Sequence, residues 1–128
     1  MEETEVKSHE VMTKQLPFSA ADCDESPKIS FVLGRLNLVF DYRCDSARRY
    51  AELVFDGAIS VIFTPDSLVS EEMLDAYSKV CEYDNSVWLA QCRMESEQKW
   101  NPDLRHFRIY FDHYGCVDVI AKSWTLQS

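Results

Sequence analysis

The stretch Tyr50–Thr64, YAELVFDGAISVIFT, carries the strongest fold signal in the chain. Two apolar, β-prone runs flank Asp56-Gly57, a pair that readily supplies the positive φ angles of a tight turn. The reading is a β-hairpin with strands near 50–55 and 58–64. Side chains alternate along a strand, so Ile59, Val61 and Phe63 share one face and Ala58, Ser60 and Ile62 the other. The first face is expected to point at the core. Upstream, Leu36, Leu38, Phe40 and Tyr42 alternate with Arg35, Asn37, Asp41 and Arg43, the pattern of a half-buried strand, with Gly34 marking a bend or bulge.

Downstream, Phe107, Ile109 and Phe111 alternate with His106, Arg108 and Tyr110. A turn at His113-Tyr114-Gly115 then leads into Val117, Val119 and Ala121. This is a second hairpin, and the other face of its return strand (Asp118, Ile120, Lys122, Trp124) is mixed enough to need a cover, either a helix or a partner. Between the hairpins, Pro65-Asp66-Ser67 breaks the strand. Ser70 with Glu71 and Glu72 reads as a helix start, acids at the positive end of the dipole. A helix over roughly 69–82 is predicted, with Met73, Tyr77, Val80 and Cys81 as its apolar stripe and Glu71, Glu72, Asp75, Lys79 and Glu82 on its wet side. Asp84-Asn85-Ser86 ends it. Val87–Met94 then reads as a further strand, with a short helix as the alternative, and Glu95–Asp103 as a loop. Val11–Phe18 is a candidate edge strand ahead of a loop at Asp22–Pro27. The fold class is therefore α+β: one twisted antiparallel sheet of about five strands, in two hairpins, packed on one main helix.

At 128 residues, 46% of them hydrophobic, the chain has material for one core, so a single domain is expected over 1–128 with 1–9 as a flexible arm. Its net charge is −9 and its calculated pI about 4.7. A backbone-gripping nucleic-acid binder needs a basic surface, so no direct nucleic-acid partner is expected, and anionic membranes are disfavoured for the same reason. The acidity is uneven. Residues 1–28 hold seven acids and three bases and 64–103 nine and three, whereas 29–63 balance at four and four and 104–128 carry two acids and three bases. The start Met1-Glu2-Glu3 lacks the basic and apolar regions of a secretory signal, and no apolar run approaches the roughly 20 residues that span a bilayer, so a cytoplasmic location is expected. Five cysteines without a Cys-x-x-Cys pair are expected to be reduced, mostly as core fillers.

Motifs for chemistry are sparse. His106, Asp112, His113 and Cys116 lie close in sequence, but their spacing does not match paired zinc ligands, and neither metal nor cofactor is expected. Cys116 or Cys92 with a histidine base would be the nucleophilic option, yet both sit in apolar, strand-like surroundings that raise a thiol pKa. No nucleophile elbow, Walker A loop or dinucleotide fingerprint is present. The aromatic surplus is more telling. Most rings belong to a core, but Trp100 sits in an otherwise polar segment, Glu97–Pro102, where it suits an exposed anchor for a protein partner as well as packing under a loop.

The stretches Ser86-Val87-Trp88-Leu89, His106–Asp112, Gly115-Cys116 and Ile120–Trp124 resemble those of small acidic bacterial immunity proteins, which neutralise secreted or contact-delivered toxins. The resemblance covers about a third of the chain, most of it in the C-terminal part, and transfers no residue roles. It implies a class of partner. The leading expectation is a stoichiometric inhibitor that captures a basic toxin domain, such as a nuclease, by electrostatic steering and occludes its active site. Its binding residues would be Glu71, Glu72, Asp75, Glu82 and Asp84, with Trp100 as anchor; each acid is equally compatible with a merely solvated helix face. The alternatives are a small-molecule-binding or adaptor domain with a pocket between sheet and helix, and an enzyme using His106 or Cys116. Either a monomer or a weak homodimer fits the sequence.

Overall fold

The computed structural model describes residues 10–16, 26–32, 34–77, 79–95 and 103–127. It is an α+β fold dominated by antiparallel sheet, with nine strands and two short helices among the described residues. The strands are β1 (Glu10–Gln15), β2 (Lys28–Val32), β3 (Gly34–Cys44), β4 (Ala47–Ala58), β5 (Ser60–Pro65), β6 (Lys79–Tyr83), β7 (Arg105–Phe111), β8 (Gly115–Ala121) and β9 (Ser123–Gln127). The helices are α1 (Glu71–Leu74) and α2 (Val87–Glu95). The strands form two sheets where the sequence suggested one: a five-stranded sheet ordered β1-β6-β7-β8-β5 and a four-stranded sheet ordered β2-β3-β4-β9. The arm at 1–9 lies outside the described residues.

The tight two-residue turn sits one strand earlier than expected. Asp45 and Ser46 join β3 to β4, both at positive φ (53° and 67°), as a hairpin turn whose twist matches its strands requires. At Asp56-Gly57 only Gly57 is left-handed (φ 70°), and no hairpin forms. Gly34 pairs with Ala58 and Arg35 with Asp56, so Gly57 is the extra residue of a bulge. That bulge redirects the chain instead of reversing it. β4 stays in the four-stranded sheet, and β5 leaves to pair with β8 in the other. β8 and β9 cross alongside, and main-chain bonds from Ile59 N to Ile120 O and from Lys122 N to Asp56 O, both 2.9 Å, tie the crossing together. The second hairpin, β7–β8, stands where the sequence put it, its turn holding His113 at φ 65° and Gly115 at φ 145°.

The core lies between the sheets. Leu36, Leu38, Phe40, Leu53 and Phe55 from one meet Val80, Phe107, Ile109, Phe111, Val117 and Val119 from the other. The alternation on β7 and β8 then sends His106, Arg108, Tyr110, Cys116, Asp118 and Ile120 to the far side of the five-stranded sheet. Two separate apolar clusters cover that side. Val69, Met73 and Ala76 lie on Cys81, Tyr83, Tyr110 and Cys116, while Trp88, Leu89 and Cys92 of α2 lie with Leu104 on Ile120.

The expected helix over 69–82 is one turn long. Ser70 caps it as expected, its Oγ accepting from Met73 N at 3.4 Å, but the chain straightens after Asp75 and β6 begins at Lys79. Val80 faces the core between the sheets and Cys81 the helical side, so both sides of β6 are apolar. A strand buried on both faces reads as a continuous apolar run, which mimics part of a helical stripe. Val87–Met94 is the short helix and not the strand. Ser86 caps it through a 3.0 Å bond from Leu89 N, and Arg93 in its last turn donates to Leu104 O at 2.8 Å.

Candidate functional site

Two places combine chemistry-bearing side chains: an exposed acidic ridge at 66–77 and a buried polar row beneath the helices. The ridge follows β5 directly. Asp66, Glu71, Glu72 and Asp75 are exposed along it, interleaved with exposed Leu68, Leu74 and Tyr77, of which Leu68 is the most open at 70%. Tyr110 of β7 fastens both its ends. The phenol donates to Asp66 Oδ1 at 2.5 Å, and Tyr110 N donates to Ala76 O at 3.0 Å, beside a single bridge between Tyr77 and Tyr110. Burial and the neighbouring Asp66 carboxylate push the Tyr110 hydroxyl well above its ordinary pKa, which favours the protonated, donating phenol. The ridge is thus pinned at both ends with its acids left in water.

Of the acids expected on one helix face, Glu71, Glu72 and Asp75 stand together on the ridge. Asp84 is exposed just beyond β6. Glu82 is corrected: it lies on β6 with its side chain 11% exposed, bonded to Arg105 Nη1 at 2.7 Å, so it presents no free carboxylate to a partner. Trp100 lies outside the described residues.

The buried row runs across β7 and β8. His106 Nε2 is 2.6 Å from Asp118 Oδ1, and Arg108 Nε donates to the same oxygen at 2.7 Å. His106 Nδ1 is 2.9 Å from Ser86 Oγ. Ser86 Oγ also accepts from Leu89 N, so His106 bridges the α2 cap and Asp118 through its two ring nitrogens. Cys116 Sγ reaches the other carboxylate oxygen at 3.6 Å. Burial alone would raise the Asp118 carboxyl, but the hydrogen bond from His106 and the charge of Arg108 outweigh it and hold it below the usual range. For Arg108 burial works against the charge, and Asp118 more than restores it. The guanidinium also lies 4.9 Å over the Tyr83 ring, with its Nη1 buried and without a hydrogen-bond partner among the described residues.

Serine, histidine and aspartate in sequence is the connectivity of a hydrolase triad, with the two ring nitrogens exchanged. The side chains of His106 and Asp118 are only 4% and 5% exposed, and Ser86 is committed to a helix cap, so a substrate carbonyl has no approach to the hydroxyl. His106 and Cys116 both bind Asp118 and not each other, which leaves the thiol without a base; burial, reinforced by the Asp118 carboxylate, pushes it well up. The arrangement neutralises buried charge between two helical clusters. His113 stands apart in the turn, 3.4 Å from Asp112, with its side chain 88% exposed, and among the described residues no group of three or more His, Cys, Asp or Glu could hold a metal.

Sequence reasoning missed Ser86, Arg108 and Asp118 as one unit. The signal was the mixed outer face of the last hairpin, where a polar row opposes an apolar one. A shallow hollow of about 260 Å³ sits on the solvent side of the four-stranded sheet, lined by Val39, Tyr50, Ala51, Glu52 and Gln127. Among the described residues no helix is long and apolar enough to cross a membrane. Comparison of the chain with protein-family models, with curated proteins and with solved structures finds no match.

Proposed function

We propose that this chain is a stoichiometric protein-binding inhibitor of the immunity type, which captures a basic toxin domain on the ridge at 66–77 and covers its active site. The observation that carries the reading is the ridge itself, with Glu71, Glu72 and Asp75 exposed around Leu68, Leu74 and Tyr77. Carboxylates in water steer a cationic surface into encounter, and the apolar and aromatic groups between them supply contact area once water is expelled. Tyr110 holds the segment in shape before binding, which lowers the entropic cost of ordering it. The partner this surface fits is basic.

The test compares the wild-type chain with a Glu72→Lys/Asp75→Lys variant as baits in low-salt extract of the native cell, followed by titration of any basic protein recovered. Expected is a 1:1 complex with loss of the partner's activity, and an association rate that falls at least about tenfold in the variant and with added salt. Equal association rates for the two baits at low salt would refute the steering role of the ridge.

A further inference from the structure

We propose that β5 is a self-pairing edge, through which two copies of this chain join their five-stranded sheets around a two-fold axis at Ile62. β5 is the terminal strand of its sheet, and no strand pairs with its outer side among the described residues. Ile62 is 45% exposed and Phe63 41%, with Ile59 exposed at the strand's start. Unpaired main-chain donors and acceptors beside exposed apolar side chains form a template for another strand.

Which groups are open follows from the ladder. Asp66 N donates to Tyr114 O just past the Pro65–Gly115 pair, so Asp66 points its main-chain groups at the β8 hairpin. These groups alternate along a strand, so Thr64, Ile62 and Ser60 also point at β8, and Val61 and Phe63 point at the open edge. An antiparallel copy can therefore exchange both bonds between Val61 and Phe63 of its mate, and again in reverse. The axis then passes between the two Ile62 residues, which face each other as a non-hydrogen-bonded pair with the closer side-chain spacing, about 4.5 Å between Cα atoms.

The composition of the strand selects a second copy as the occupant. About this axis Ile62 meets its own image, Val61 meets Phe63 and Ser60 meets Thr64, so a charge at the centre would meet a like charge. Ser60–Pro65 contains none, in a chain that is 27% charged. The other edges differ: β1 carries Glu10 and Lys14, β2 begins with Lys28, and β9 exposes the polar Ser123, Thr125 and Gln127. Among the described edge strands, β2 also exposes apolar groups, Phe31 and Val32, but carries Lys28, and β5 is the one that combines exposed apolar groups with no charged residue along its length. This inference is independent of the ridge reading.

Sedimentation velocity of the full chain over a range of concentrations tests it. Wild type is expected to show a reversible dimer that strengthens with salt, because two copies of charge −9 repel at long range. Ile62→Lys, with an unchanged far-ultraviolet spectrum and melting curve, is expected to weaken the dimer at least about tenfold by placing two ammonium groups at the axis. Ile62→Cys is expected to give, under mild oxidation, a covalent dimer that peptide mass spectrometry maps to position 62 of both copies. Thr64→Cys is expected not to cross-link with itself, because its Cα would lie roughly 13 Å from its image against the 7 Å limit of a disulfide. A wild-type monomer at all concentrations, a dimer unaffected by Ile62→Lys, or equal cross-linking at positions 62 and 64 would each overturn the proposal. Glu72→Lys/Asp75→Lys should leave the dimer in place, so a failure of the ridge reading is separable from a failure here.

Discussion

Replacing Asp118 by Ala isolates what the buried polar row contributes. The carboxylate accepts from His106 at 2.6 Å and Arg108 at 2.7 Å with its side chain 5% exposed. Removing one partner of a buried ion pair leaves the other uncompensated, at a cost of about 3–5 kcal/mol. With a urea slope of about 2 kcal/mol per molar, the unfolding midpoint falls by about 2 M. If the cost comes from the stranded guanidinium, deleting it as well should return stability, since an apolar pair of similar volume often matches or exceeds a buried ion pair. Arg108→Met/Asp118→Val is expected to recover at least about 2 kcal/mol over Asp118→Ala. The folded carboxyl titrates below its unfolded value of about 3.9, so its contribution is present above about pH 4 and is lost as pH falls through the folded pKa. The stability gap between wild type and Asp118→Asn should accordingly be flat from pH 5 to 7 and close in more acid solution. A loss under about 1 kcal/mol for Asp118→Ala, or a double variant no more stable than the single one, would refute the reasoning.

Other substitutions probe the remaining devices. Gly57→Ala forces a side chain into left-handed backbone at φ 70° and sets its Cβ 2.7 Å from Lys122 Cγ; an unfolding curve should show a loss of about 1–2 kcal/mol. Ser86→Ala removes both the α2 cap and the His106 partner and should cost about 1–3 kcal/mol by the same measurement. Tyr110→Phe cuts the tether to Asp66, so amide exchange at 66–77 should speed up with little change in global stability. Cys116 should resist alkylation at neutral pH, read by peptide mass spectrometry, until the chain is unfolded.

What could be read from the sequence was whatever one strand or turn decides locally. The β7–β8 hairpin, the alternation of β3, the break at Pro65 and the Ser70 cap all follow from neighbouring residues. Asp56-Gly57 misled because a glycine at positive φ serves a hairpin turn and a bulge equally, and only the partner strands distinguish them. β6 misled because a strand covered on both sides loses its alternation. The ridge acids Glu71, Glu72 and Asp75 were legible, since a cap followed by acids is a local pattern. Glu82 was not, because its Arg105 partner lies 23 residues away on β7. The same limit hid the polar row: His106 and Asp118 are 12 residues apart and Ser86 and His106 are 20 apart.

The bulge that ended the hairpin reading also links the two proposed surfaces. By sending β5 into the other sheet, it makes that strand an edge and places the ridge at its end, starting from Asp66. In a pair centred on Ile62, each ridge begins at Asp66, four residues from the axis on its own side, so the two starting points lie about 27 Å apart at opposite ends of the joined strands. Charges at that distance are separated by more than twice the Debye length of about 8 Å at physiological salt, so the ridges barely oppose pairing there. One dimer would then present two acidic ridges and could hold two basic partners. Salt separates the two events by sign: screening strengthens contact between like-charged copies and weakens capture of a cationic partner. A rise in salt should therefore shift the molecule from a partner-bound state toward free dimer, and a partner that resisted this shift would have to be held mainly by Leu68, Leu74 and Tyr77.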